Sequence, residues 1–528
     1  MNARAVRSLL LVAALATTAA AQDTTKSPIR KRSMYEDLQM FSQVLNQIRV
    51  NHPDSIDTHD LLMAAVAGMV SAADPHSFVI PAVRFDAEKE KALRERKLYP
   101  TPIDFRFVDG APIVVNVAPG SKASEQDILV GDELVAIDGK PVAAESPVEL
   151  DITLAGSKNS TVTLGLERRR VDGSVTRIDR AVRRERVSDE TAVPAAFMLD
   201  AQTGYVRITT FDNEKVADDL HDALSRLEKQ GMARLVLDLR DNGGGYVSEA
   251  AKVAGEFLPK GTIVYTSSGR KEQTTDTGRV SRSFWRSEKR YPIVMMVNGG
   301  TASASELVAG ALQDHDRALI VGRPTFGKSL LMQGFPMSDG SIIELVVGHV
   351  NTPCGRVIQR NYRSITRREY YRLARAERDT AGRPSCKTDH GRTVYGGGGI
   401  YPDVPLPEPD PKPVWLAKAL ERDIVIRWIG SYLSGPGATM ATVDSLAAKP
   451  ALASNVLQDF RAFASRENAA IPTDAASDSL LQRSLLPVLA RSKYGEAGYY
   501  RLSAALDPQV KSALLAFDRA SAILAATQ

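Results

Sequence analysis

The sequence from Pro292 to Ala318 reads P-I-V-M-M-V-N-G-G-T-A-S-A-S-E-L-V-A-G-A-L-Q-D-H-D-R-A. Five consecutive apolar residues, Ile293 to Val297, describe a strand buried on both faces, as in a parallel sheet covered by helices. Asn298-Gly299-Gly300 then turns the chain, and helical spacing begins at Ser303 and runs to Gln313. A strand-to-helix turn leaves the first N–H groups of the helix without partners, here beside Ser303 and Ser305. A nucleophile placed there would have oxyanion donors at hand. The same letters also form the capping box S-x-x-E, in which Ser303 only caps the helix.

Outward from this stretch, strands alternate with helices from Gly204 to Asp403. The expected strands are Tyr205 to Thr209, Leu235 to Leu239, Ile263 to Tyr265, Ile293 to Val297, Ala318 to Val321 and Ile342 to Val347. Amphipathic helices end near Gln230 and Phe257, and the third runs from Ser303 to Gln313. Such alternation predicts an α/β core with parallel pairing.

Two further motifs fall at strand ends. Leu235 to Gly245 reads L-V-L-D-L-R-D-N-G-G-G, a strand entering three glycines whose backbone could approach a ligand or simply turn. Gly322 to Ser329 fits the phosphate-loop pattern G-x-x-x-x-G-K-[ST], but Pro324 removes a donor and Phe326 adds bulk where a phosphate needs open N–H groups. Lys328 stands among Phe326, Leu330 and Leu331, where desolvation would lower its pKa and free the amine as a general base. A surface lysine with a snorkelling stem fits the same letters. His315 follows Ser303 by twelve residues on the same helix or just past it, about 18 Å along the axis, which makes a Ser-His-Asp triad awkward. No H-E-x-x-H or other strong metal spacing occurs, and no metal is expected.

The rest of the chain divides by pattern. Residues 1–21 read as a signal peptide, with Arg4 and Arg7, the apolar run Leu9 to Ala16, and Ala19-Ala20-Ala21 before the cut. The run is too short to span a bilayer, so no anchor is expected after cleavage and the mature chain is placed in the periplasm or secreted. Residues 22–100 carry helical periodicity, broken at His52-Pro53-Asp54 and ending at Asp74-Pro75-His76-Ser77, with a charged helical connector from 84 to 97. Residues 101–172 form a β-rich module with strands Ile113 to Val117 and Thr161 to Leu166, a turn at Pro119-Gly120-Ser121, and the stretch Val130 to Gly139. The core occupies 173–405, the proline-rich linker Pro405 to Pro413 follows, and 406–528 is expected to be a helical domain.

Composition bounds the whole. At 528 residues the chain suggests several domains on a prior of roughly 150 residues each. Hydrophobic residues at 43% and charged residues at 25% exclude a disordered, collagen-like or polytopic membrane chain. Sixty-seven Lys+Arg against 63 Asp+Glu leave +4, too little to point to nucleic acid. The two cysteines, Cys354 and Cys386, would form one disulfide in an oxidising compartment, or else remain as buried thiols. A basic insertion, 355–392, begins after Cys354 and contains Cys386, with 11 Lys+Arg against 4 Asp+Glu.

Together, D-L-R-D-N-G-G-G (from Asp238), T-A-S-A-S-E (from Thr301) and G-R-P-T-F-G-K (from Gly322), downstream of V-G-D-E-L-V-A-I-D-G (from Val130), resemble the carboxy-terminal processing peptidases, or tail-specific proteases. The resemblance runs from Asp74 to Asp403. It implies a multidomain α/β protein: a peptidase core of the ClpP/crotonase-like fold, a PDZ module and helical regions at both ends. The family's Ser–Lys dyad falls on Ser303 and Lys328, working through an acyl-enzyme. Its oxyanion hole falls on Ala304 and on Gly243 or Gly244, and its supporting positions on Glu306, Asp314 and Thr325. A family glutamine follows the lysine by four residues; Met332 stands there and Gln333 comes one later, so Gln333 fits only with a one-residue shift or bulge.

In the family the PDZ domain adds the substrate C-terminus as a strand. Where a short glycine-rich carboxylate loop is expected, this chain has Pro102 to Phe107, which makes Phe105, Arg106 and Phe107 the expected substrate contacts, with Arg106 assisting the carboxylate. The basic insertion is a second departure from the family and reads as a docking surface. The resemblance implies a secreted serine endopeptidase without a cofactor, acting on proteins with extended C-termini, and leaves room for an adaptor protein and a homo-oligomer. The alternatives are an inactive PDZ-type peptide-binding scaffold and a Ser–His ester hydrolase.

Overall fold

The structure is a computed structural model that describes residues 33–526, apart from 81, 83–86, 96, 109, 119–120, 145, 170–173, 187–190, 270–273, 282–286, 364, 377–378, 408–410, 422–423 and 434. The expected leader, Pro119-Gly120 and the middle of the proline-rich linker lie outside the described residues. The chain forms two compact units, residues 1–69 and 70–528. The first contains the helix Met34–Asn51, opened by a Ser33–Glu36 capping box, and most of the helix Thr58–Ala73. Among the described residues no helix is long and apolar enough to cross a membrane.

In the second unit the central sheet has six strands in the order Val404–Pro405, Leu319–Gly322, Ile293–Val297, Arg234–Asp238, Thr203–Arg207, Ala195–Met198. All are parallel except the last, which is antiparallel. Ile293–Val297 is buried throughout, as its unbroken apolar run requires. One face of the sheet packs on the helices Val216–Lys229, Val247–Gly255 and Ala304–Asp314. All eleven residues of the last helix are buried.

Two expected core strands lie elsewhere. Ile263–Ser268 and Ile342–Asn351 pair antiparallel in a second sheet with Phe78–Ile80, Thr274–Arg279 and Leu330–Pro336. Alternation with helices did not separate the two sheets, because either sheet accepts a short apolar run.

The β-module is a sheet in the order Ile103–Val108, Ala111–Val117, Glu133–Ile137, Thr161–Arg169, Val175–Arg183, with Lys140–Pro141 on the third strand. Its last hairpin carries the module through Arg183, past the expected boundary at 172. The helix Pro147–Leu154, capped by Ser146 with proline at its start, buries Leu150, Ile152 and Leu154 beside the edge strand Ile103–Val108.

The C-terminal region is not one helical domain. Ile424, Trp428, Phe460, Leu481 and Leu485 share a core of their own. Val510, Ala513 and Phe517 instead cover the outer face of the central sheet against Val236, Val294 and Val321. Val510 and Phe517, so buried, contribute about 1.5–3 kcal/mol each, and the end of the chain is a layer of the core.

Candidate active site

The register Asp238↔Met296 and Val297↔Gly322 aligns the C-terminal ends of three adjacent parallel strands. The loops that follow them, Leu239–Gly245, Asn298–Ser303 and Arg323–Lys328, therefore emerge at one edge of the sheet, where open α/β sheets hold their ligands. Three motifs far apart in sequence meet through strand order alone.

Hydrogen bonds lace the first two loops together. Asn298 Oδ1 accepts from the N–H groups of Asp241 and Gly300, both at 2.9 Å. The Thr301 hydroxyl donates to Leu239 O (2.8 Å), and Ala302 N–H donates to Asn242 O (2.9 Å). Asn242, wholly buried, donates to Ile208 O (3.0 Å) and accepts from Gly244 N–H (3.0 Å).

At the turn, Ser303 has φ +56° and ψ −120°, a conformation that costs a non-glycine residue about 1–3 kcal/mol and lifts a nucleophile above a sheet. The next residue, Ala304, opens the helix, so its N–H has no intrahelical acceptor. Gly244 (φ +101°) is pressed against this turn: a Cβ there would lie 2.8 Å from Ser303 Cβ and 2.9 Å from Ala304 N. Of the two expected oxyanion glycines, Gly244 has its N–H engaged by Asn242. Gly243 is exposed, a Cβ on it would meet nothing within 4 Å, and among the described residues its N–H has no acceptor.

Glu306 is wholly buried and joins the serine turn to the third loop. Its Oε2 accepts the N–H groups of Ser303 (2.9 Å) and Lys328 (2.8 Å). Its Oε1 accepts Gly327 N–H (2.8 Å) and the Thr325 hydroxyl. Burial pushes the carboxyl up to about 7, against the pull of these four donors. The glutamate of the capping box is thus the hub of the site.

Lys328 is half-buried, and burial lowers its pKa, against Glu306, Asp74, Asp212 and Glu344, which favour the ammonium. It opens on a cavity of about 680 Å³ walled by His76, Phe78, Ala302, Phe326 and Tyr371. Among the described residues nothing hydrogen-bonds its Nζ, the Ser303 hydroxyl included.

The phosphate-loop reading fails on its donors. The N–H groups of Arg323, Thr325 and Phe326 bond to the carbonyls of Val297, Ile400 and Thr301. Those of Gly327 and Lys328 bond to Glu306, and that of Ser329 to Gln359. No amide from Arg323 to Ser329 is left to cradle an anion.

The remaining expected residues are dispersed. Asp314 ends the serine helix, about 16.5 Å from Ser303 along its axis, ion-paired to buried Arg356 and accepting Cys354 N–H (3.1 Å). Gln333 is exposed opposite Leu345, and among the described residues it has no bond to Lys328. The strand does carry a bulge, but the extra residue is Val347 on the partner strand, so Met332 keeps the face alternation assigns it and Gln333 the opposite one. Both ring nitrogens of His315 are committed, to Asp389 (2.7 Å) and Ile263 O (2.8 Å), which removes the Ser–His hydrolase reading. Phe105 and Phe107 are half-buried against the β-module core and Arg106 is exposed, all on the edge strand. Cys354 and Cys386 are bridged, Cα–Cα 6.3 Å. Sequence reasoning passed over Asn242, Asn298 and Gln359, whose only signal was an amide side chain beside a glycine or a basic run.

The model of peptidase family S41 matches residues 202–366, and that of the PDZ domain matches 102–179. The chain is 32% identical over 337 residues to the carboxy-terminal-processing protease of Bartonella bacilliformis, covering 62% of this chain and 74% of that one. It is 35% identical over 254 residues to the chloroplastic carboxyl-terminal-processing peptidase 2 of Arabidopsis thaliana (46% and 48% covered), and 36% identical over 241 residues to the carboxyl-terminal-processing protease of Synechocystis (44% and 53%). It therefore spans about half the length of the latter two. The fold and site define a peptidase core joined to a PDZ domain. The chain belongs to peptidase family S41, among the carboxy-terminal processing proteases.

Proposed function

We propose that this protein is a serine endopeptidase that cuts extended polypeptides at or near their C-termini, with Ser303 as nucleophile and Lys328 as general base. The observation that carries this reading is the shared Glu306 carboxylate, which fixes the main chains of Ser303 and Lys328 against each other. Neutral Lys328 Nζ takes the Ser303 hydroxyl proton as Oγ bonds to the scissile carbonyl carbon. The oxyanion falls between the N–H groups of Ala304 and Gly243, each worth about 3 kcal/mol if typical. As the C–N bond breaks, Nζ gives its proton to the departing amine. Water then attacks the ester, its proton passing to Nζ and on to Ser303 Oγ as the acid leaves.

The position of Ile103–Val108 as the edge strand of its sheet, beside the helix Pro147–Leu154, supports capture of the substrate tail as an added strand, with Phe105, Arg106 and Phe107 at the contact. The Cys354–Cys386 bridge and the leader-like first 21 residues support an oxidising, extracytoplasmic location.

The test is proteolysis of an unstructured protein with an apolar C-terminus. The wild type should cleave it, while Ser303→Ala and Lys328→Ala, folded to the same degree, should bind without cleaving. Cleavage surviving Ser303→Ala would refute the assignment.

A further inference from the structure

The cystine-closed insertion reaches inward as well as outward. Arg360 N–H donates to Gly327 O (2.9 Å), and its guanidinium donates to Gly398 O (2.8 Å). Gln359 Oε1 accepts Ser329 N–H (2.8 Å). Tyr370, wholly buried, accepts from Gln359 Nε2 (3.1 Å) and donates to Gly327 O (3.2 Å). Both chain neighbours of Lys328 are thus held by the insertion, while Lys328 N–H is held by Glu306. The Tyr370 ring stands edge-on to His76 (4.8 Å) and Phe326 (5.7 Å), two residues that wall the cavity onto which Lys328 opens. Tyr370 lies beyond residue 366, where the family match ends.

We propose that Gln359 and Tyr370 are positioning residues for Lys328, which makes the insertion part of the catalytic centre. The proposal rests on the reading of Lys328 as the base. A lysine has a long flexible stem, so its amine stays dry only if its Cα and the surrounding wall are both fixed. The charged groups facing it are Glu306 on the serine helix, Asp74 before the first strand, Asp212 after the strand Thr203–Arg207, and Glu344 on Ile342–Asn351. All four favour the ammonium. Asp241, Arg323, His76 and Tyr371 line the same cavity, and Arg360 sits behind Gly327. Burial is therefore what keeps the amine available, and Tyr370 with Gln359 anchors the wall that buries it.

The test compares wild type, Tyr370→Phe and Gln359→Ala across pH. Tyr370→Phe keeps the ring and loses both hydrogen bonds. Each variant should lose about 10-fold in kcat/KM near neutrality and recover most of it in alkali, with KM steady, because the acid limb of the profile moves up as water reaches the amine. Competitive acylation of Lys328, read by mass spectrometry against pH, should show the same upward shift. That readout needs no catalysis, so it decides the proposal even in a chain that does not cleave. A wild-type limb and labelling curve in both variants would overturn it, as would an equal loss at every pH accompanied by a lower Tm, the mark of a merely structural role.

Discussion

Ser303 and Lys328 donate their backbone N–H groups to the same atom, Oε2 of Glu306, at 2.9 and 2.8 Å. All four partners of this carboxylate are donors, so a glutamine in its place must turn an NH₂ group toward N–H or O–H groups. Each donor left unsatisfied in a buried site costs about 1–3 kcal/mol. Glu306→Gln should therefore lower stability by about 2–4 kcal/mol in urea unfolding. Because the main chains of Ser303 and Lys328 would drift apart, kcat/KM should fall by about 100-fold. A variant as stable and active as wild type would show that the shared oxygen is not what holds the site.

The pH dependence follows from the same two residues, with opposite signs. Burial lowers Lys328 below 10.5, so the unfolded chain binds the extra proton between the two values, and this group's contribution to stability improves as pH rises through that window. Glu306 is raised from 4.5 to about 7, so its contribution is full below the unfolded value and is lost as pH rises through about 7. Lys328→Met should raise Tm at about pH 7 and have little effect above about pH 11.5, where the amine is neutral in both states. Scanning calorimetry at the two pH values checks this. No gain near neutrality would mean the lysine is hydrated in the folded protein.

The glycine loop separates two neighbours. A Cβ on Gly244 would lie 2.7 Å from Ala302 O, 2.8 Å from Ser303 Cβ and 2.9 Å from Ala304 N, at φ +101°. None of these atoms can move without shifting the turn that carries Ser303, so Gly244→Ala should cost about 1–3 kcal/mol and abolish cleavage. On Gly243 the same methyl meets nothing within 4 Å, and stability should stay within about 0.5 kcal/mol of wild type. Equal losses at both positions in thermal unfolding would contradict the packing described.

The parts of this structure legible in sequence are those governed by local pattern. Ile293–Val297 follows from its apolar run, and the meeting of the three loops follows once the strands are taken as parallel neighbours. Ser303, Glu306, Thr325 and Lys328 were marked by motif, and the fold brings their loops together. What pattern could not supply was the disposition of individual hydrogen-bonding groups. Nothing in N-G-G-G says that Asn242 takes the Gly244 N–H and leaves that of Gly243 open. Nor does strand periodicity say which partner carries a bulge, and that choice decides which way Gln333 faces. Asp314 followed the family pattern, yet its partner, Arg356, belongs to the insertion. The insertion itself reads as a docking surface because its charges outnumber its anchors, and Tyr370 and Gln359 make their contacts across tertiary distance.

The wall of the cavity beside Lys328 yields a prediction about substrate choice. Tyr371 lines it with Phe78, Ala302 and Phe326, and its ring centre lies 5.5 Å from that of Phe326. Ala302 immediately precedes Ser303, so a carbonyl brought to Ser303 should carry its neighbouring side chain into this space, where aromatic walls favour apolar groups. Tyr371→Ala removes one wall and leaves Ser303, Glu306 and Lys328 unaltered. It should raise the preference for bulky apolar residues over alanine at that position by about 10-fold, the scale on which apolar pockets discriminate. Mapping the cleavage sites of wild type and variant in one peptide library measures the ratio. An unchanged profile would mean that substrate side chains enter by another face of the site.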